Sequence, residues 1–91
     1  MKNGTEYIKE GWRYRIVSQS NDDEPLVTVG KFLGYSAFGS DSALVIELDS
    51  SHLDDEGTIR ILPCPTVLAM ELLEMKEERK AEKDERTVYF G

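Results

Sequence analysis

Apolar residues recur at every second position in three separate stretches of this 91-residue chain, the period of a strand with one face against a core. In "WRYRIVSQ", 12–19, Trp12, Tyr14 and Ile16 alternate with Arg13 and Arg15. In "ALVIELD", 43–49, Leu44, Ile46 and Leu48 share one side and Val45 and Glu47 the other. "TIRIL", 58–62, predicts Ile59 and Ile61 inward and Arg60 outward. A further strand, "LVTVGKFLGY" at 26–35, is β-branched and aromatic. Its Gly30 and Gly34 predict places where the strand bends sharply or another backbone comes close.

"TVLAMELL", 66–73, is apolar on all sides except at Glu71. A surface helix built from it would have no polar face, so it predicts a fifth strand to about Leu73. "EMKEERKAEKDER", 74–86, carries 11 charges in 13 residues and reads as a solvated helix or a disordered segment, followed by "TVYFG". At the other end, "NGTEYIKEG" offers Asn3 or Thr5 as a cap and Gly11 as a stop, which predicts a short helix. Turn residues fill "SNDDEP", "SSHLDDEG" and "PCP", and "SAFGSDS", 36–42, reads as a loop too long for a tight hairpin. The expectation is a mainly β protein. A short N-terminal helix precedes five strongly bent antiparallel strands that close a small barrel over residues 1–73, with a charged extension at 74–91. Loops of such a meander alternate between ends. That gives an acidic pole (Asp22, Asp23, Glu24, Asp54, Asp55, Glu56) and an apolar one (Ala37, Phe38, Pro63, Cys64, Pro65).

Eighteen acids against 11 bases give a net charge of -7. Residues 74–86 hold six acids and five bases, so the body itself is acidic. Such a field repels a phosphate backbone at long range and disfavours nucleic acid as a default partner. The lone cysteine, Cys64, excludes an internal disulfide framework and a cysteine-based zinc site within one chain. No apolar run approaches the roughly 18 residues of a membrane span, and "MKNGTEYIKE" lacks the apolar stretch of a secretion signal. A cytoplasmic location without membrane contact is expected.

The short helix, the five strands and the glycine-bent "VGKFLGY" before "ALVIELD" resemble the Sm-like family of small barrels over roughly residues 3–73. The resemblance implies a ring in which strand four of one subunit pairs with strand five of the next. It also implies a use for a two-sided apolar fifth strand, with Val67, Ala69 and Leu73 facing a neighbour and Leu68, Met70 and Leu72 the other way. Many members bind single-stranded RNA near the pore, and the matching positions here are Phe38 for stacking, Asp41 beside it and Arg60 in the later strand. The family's asparagine is missing, with Ser42 in its place, and "ILPCP" follows Arg60 where the family has glycine.

No catalytic arrangement or cofactor site is predicted. His52 is the only histidine, and the spacing in "DSSHLDDE", 49–56, matches no calcium loop, so it reads as a solvated turn. Arg13, Arg15 and Lys31 share one face and are expected to pair with acids such as Glu6, Glu10 or Glu47 rather than hold phosphate. No base adjoins Cys64 in sequence to lower its pKa. Phe38 is expected to cover a barrel end, or else to meet a partner, together with Pro63, Pro65 and the C-terminal Val88, Tyr89 and Phe90. The functional expectation is a non-enzymatic assembly or interaction module that forms a homo-oligomer. Its C-terminal segment is a candidate contact for a protein partner, and an RNA-binding ring is the alternative.

Overall fold

The computed structural model describes residues 6–76. Five antiparallel strands form one sheet in the order β4-β3-β2-β1-β5, with β1 Arg13–Ser18, β2 Leu26–Phe38, β3 Asp41–Leu48, β4 Ile59–Pro63 and β5 Val67–Glu74. The stretch after Thr66 is therefore extended, as its apolar surround predicts, and runs one residue past Leu73. β4 and β5 are the two end strands and are not paired with each other.

β2 belongs to two half-sheets. Residues 26–31 pair with β1 and residues 30–38 with β3, and the strand bends where these ranges meet. Gly30 makes the bend feasible, because a Cβ there would stand 2.1 Å from the Glu47 carbonyl oxygen. Gly34, at φ +132°, follows a break in register after Phe32, as bulges require. The halves enclose a core of Trp12, Tyr14, Ile16, Phe32, Leu44, Ile46, Leu48 and Leu62. Leu26, Cys64, Val67, Met70 and Leu72 pack around it. The Tyr14 and Phe32 rings meet edge to face at 6.1 Å.

The sheet is not closed where the strands are expected to close a barrel, because β4 and β5 do not pair, and four further expectations are corrected. Glu6–Gly11 is not helical: Glu6–Lys9 has no regular structure, and a turn follows at Glu10 and Gly11. Its polar groups are satisfied elsewhere, since the Tyr14 hydroxyl donates to the Tyr7 carbonyl at 2.6 Å and accepts from the Lys9 N–H at 2.9 Å. Gly11, at φ +91°, donates to the Phe32 carbonyl. Next, 36–42 is no loop. The ladder continues to Phe38 opposite Asp41, leaving a two-residue turn of Gly39 and Ser40 with glycine first and in positive φ, which suits a type II′ hairpin.

The phase of β4 is opposite to that predicted. Arg60 is opposite Ile46 and Leu62 opposite Leu44, so both belong to the core side, while Ile59 and Ile61 face outward and are 48% and 45% exposed. Finally, β5 runs antiparallel to β1 with Val67 opposite Ser18, and the Gln19 N–H donates to the Thr66 carbonyl. The short 3-10 turn Cys64–Thr66 thus begins near the β2–β3 ribbon, at Pro63 opposite Ala43. It ends beside the acidic turn, so the alternation of loops between two ends fails at the fourth connection.

Tyr14→Phe tests the tether. The variant is expected to keep the core ring but lose about 1 kcal/mol, the usual net worth of such bonds. Hydrogen exchange at Lys9 is expected to quicken while that at Ile16 and Ile46 stays slow.

Candidate interaction edges

Among the described residues, the two end strands leave one row each of backbone N–H and C=O groups without a strand partner, the arrangement that templates pairing with another chain. β4 is five residues long with a regular ladder to β3, and its outward side chains are the exposed Ile59 and Ile61. β5 is eight residues long. Breaks in its pairing with β1 fall between Arg13 and Tyr14 and between Val17 and Ser18. The second break shifts the alternation, so Val67 joins Met70 and Leu72 against the core while Leu68, 58% exposed, faces away. Of the residues expected at an oligomer contact, Val67 thus packs partly on its own core, whereas Ala69 and Leu73 are exposed. Leu68 is an outward-facing apolar residue that strict alternation missed. Its signal lies only in the bulge. It lines an open groove of about 310 Å³ with the acidic turn Gln19–Pro25.

A row of side chains crosses the outer surface from one edge to the other: Glu74, Arg13, Lys31, Glu47 and Ile59 occupy paired positions on β5, β1, β2, β3 and β4. Its cations have acid partners. The Arg13 Nε donates to Asp49 at 2.5 Å, Lys31 lies 3.9 Å from Glu47, and Arg15 in the next outward position pairs with Glu71 at 2.9 Å. Of the acids expected to meet these bases only Glu47 does so, at Lys31, while Arg13 and Arg15 are engaged by Asp49 and Glu71 instead.

Of the RNA candidates, Phe38 and Asp41 are brought together and Arg60 is not. Phe38 and Asp41 stand opposite each other at the tip of the β2–β3 ribbon, with Phe38 52% exposed rather than folded over the core. Arg60 is opposite Ile46, five positions along β3 from Asp41, or roughly 17 Å of extended strand. Its guanidinium donates to the Thr28 hydroxyl at 2.9 Å and is 3.4 Å from the Val27 carbonyl. Among the partner-binding candidates, Pro63 lies two positions along β3 from Asp41, and Pro65 is in the 3-10 turn. Val88, Tyr89 and Phe90 lie outside the described residues, as do residues 77–86 of the charged stretch.

The Asp49–Glu56 turn is structural. Beyond the end of the β2–β3 ladder, the Asp49 N–H donates to the Val29 carbonyl and the His52 Nε2 accepts the Val29 N–H at 2.8 Å. Histidine here replaces a missing strand residue. Among the described residues no group of three or more His, Cys, Asp or Glu could hold a metal ion, and no helix is long and apolar enough to cross a membrane. Cys64 is a half-buried free thiol against the core.

Burial pushes the Asp49 carboxyl up, but the hydrogen bond from Arg13, those from the Ser51 N–H and hydroxyl, and the guanidinium charge outweigh it, holding the group below the ordinary aspartate range. A carboxylate so depressed stabilises the fold above its unfolded pKa of about 3.9, and that contribution disappears as pH falls through the folded value. Asp49→Asn is therefore expected to melt a few degrees below the parent at pH 7 and to approach it under acid conditions. The effect is small because the pair is partly solvated. Melting curves across that range check it; a gap that widens on acidification would be the wrong sign.

Comparison of the chain with family models, curated proteins and solved structures finds no significant match.

Proposed function

We propose that this chain is a non-enzymatic assembly module, a five-stranded barrel of Sm-like type whose β4 edge in one copy pairs with the β5 edge of the next. The observation that carries this reading is which edges are open. The sheet order leaves β4 and β5 at its ends, the two strands that the resembled family joins between subunits. Both present apolar side chains to solvent, Ile59 and Ile61 on one and Leu68 and Leu73 on the other.

Two further points favour self-association. Unpaired apolar edges are an aggregation hazard that proteins ordinarily cover or blunt, and a second copy covers both at once. The edges also differ in length and sequence, so pairing one with the other is head-to-tail and yields a ring when the rotation closes. An RNA-binding ring has less support, because Arg60 is engaged with Thr28 away from Phe38 and Asp41 and the chain is acidic.

Light scattering over a range of concentrations tests the proposal. A mass above that of the monomer, rising to a defined plateau, is expected. A monomer at every concentration would end it.

A further inference from the structure

The ladder between β2 and β3 ends at Gly30 opposite Leu48, and one further rung is completed by a side chain. The Val29 carbonyl accepts the Asp49 N–H, whereas the Val29 N–H donates to the half-buried His52 at Nε2, 2.8 Å away. That bond needs a ring nitrogen with a free lone pair, so the imidazole is neutral with its proton on Nδ1. The next residue is irregular in a second way. Leu53 stands at φ +44° and ψ −104°, outside the left-handed region that side chains occasionally visit. Among the described residues it is the one non-glycine in positive φ. Its side chain is 81% exposed, so packing does not offset the strain. A backbone held this way persists only where neighbouring contacts impose it. We infer that His52 is a proton-operated clamp: neutral, it holds the strained 50–56 turn against the β2 edge, and protonated, it releases the turn and bares the Val29 amide.

Once Nε2 takes a proton from solvent, two donors face each other and must part. The charges around the ring favour the released state. From the neighbouring strands come Arg13 and Arg15 on β1, Lys31 on β2, Glu47 on β3 and Arg60 on β4. Arg13 is engaged by Asp49, Arg15 by Glu71, Lys31 by Glu47, and Arg60 donates to Thr28. Among the described residues, the charges left without an ion pair near His52 are Asp54, Asp55 and Glu56 of its own turn, which attract an imidazolium free to approach them. The movement is also bounded. At the entrance, Asp49 is tied to Val29 and Arg13, and its carboxyl, held below the ordinary aspartate range, stays ionised on mild acidification. At the exit, the Gly57 N–H donates to the Leu48 carbonyl and the Leu48 N–H to the Thr58 carbonyl. β4 therefore keeps its register while the turn between these anchors moves.

The clamp is independent of self-association. Amide hydrogen exchange of the full chain, expressed as protection relative to the free peptide rate, is measured at about pH 8 and about pH 5, the window in which an imidazole changes charge. Protection of Val29 is expected to fall roughly tenfold or more on acidification, while Tyr14 and Ile46, inside the sheet, stay unchanged. His52→Gln supplies an acceptor oxygen that does not titrate, and its Val29 protection is expected to be the same at both pH values. Leu53→Gly relieves the backbone and is expected to raise Val29 protection severalfold at the acid end. Constant protection in the parent would overturn the inference, as would an equal fall in the glutamine variant. A fall shared by Tyr14 and Ile46 would mean that the whole domain loosens, and lower protection in Leu53→Gly that the turn stores no strain; either result rejects the clamp.

Discussion

Gly30→Ala is expected to lower stability by about 3 kcal/mol or more, a large part of the 5–15 kcal/mol typical of a folded domain. The methyl group would stand 2.1 Å from the Glu47 carbonyl oxygen, 2.9 Å from its carbon and 3.0 Å from Ile46 Cγ2. Two of those atoms belong to backbone held in the β2–β3 ladder, so no side-chain rotation relieves the contact. The strands must separate where β2 passes from one half-sheet to the other, and Ile46, Leu48 and Tyr14 lose their packing with it. For a domain of this size the loss corresponds to a fall in Tm of roughly 12–24 °C. Gly39→Ala provides the contrast. Nothing lies within 4 Å of a Cβ there, and only its positive φ of +66° is at issue, a cost of about 1–2 kcal/mol. Urea titrations of both variants check the ranking. Equal midpoints would mean that the close approach of the two strands is not what Gly30 provides.

How far the fold was legible in the sequence follows from what each residue had to do. β1 and β3 alternate with a buried face against the core, so period and polarity together gave both the strand and its inner side. Gly30 and Gly34 stood out because glycine inside a β-branched stretch has a backbone reason to be there. β4 gave its period but not its sign. Two isoleucines around an arginine suggest the arginine outside, yet Arg60 extends over the core side to reach Thr28, while the isoleucines lie exposed on an end strand. The stretch "SAFGSDS" resembles a loop because a ribbon that packs against nothing needs no hydrophobic alternation. Its strand state comes from cross-strand pairing alone, which propensity does not register. Glu6–Gly11 is not helical, and the Tyr14 hydroxyl takes both a donor and an acceptor from residues 7–9, while the cap candidates Asn3 and Thr5 lie outside the described residues. Of the proposed contact, the choice of strands four and five came from resemblance. Leu68 did not, since its outward direction depends on a break in pairing between Val17 and Ser18.

That mixture of edge and apolar side chain defines the second large effect. Ile61→Lys is expected to weaken self-association by on the order of 100-fold, equivalent to about 2.7 kcal/mol at each contact. The substitution places a strongly hydrated ammonium where the proposed neighbour's strand would cover it, and burying an unpaired charge is more costly than losing a few methylene contacts. Lysine on an exposed edge is also the device by which natural sheets discourage pairing. Since Ile61 is already 45% exposed in one copy, the isolated subunit is expected to melt within a few degrees of the parent, which separates a lost interface from a lost fold. Leu33→Lys is the matching control: Leu33 is 39% exposed but lies on β2, away from the two end strands. Sedimentation velocity on the three proteins decides the matter. If the isoleucine variant keeps the parent's mass, β4 is not the contact; if the leucine variant dissociates equally, charge added anywhere on the surface is the cause, and the edge has no special place in assembly.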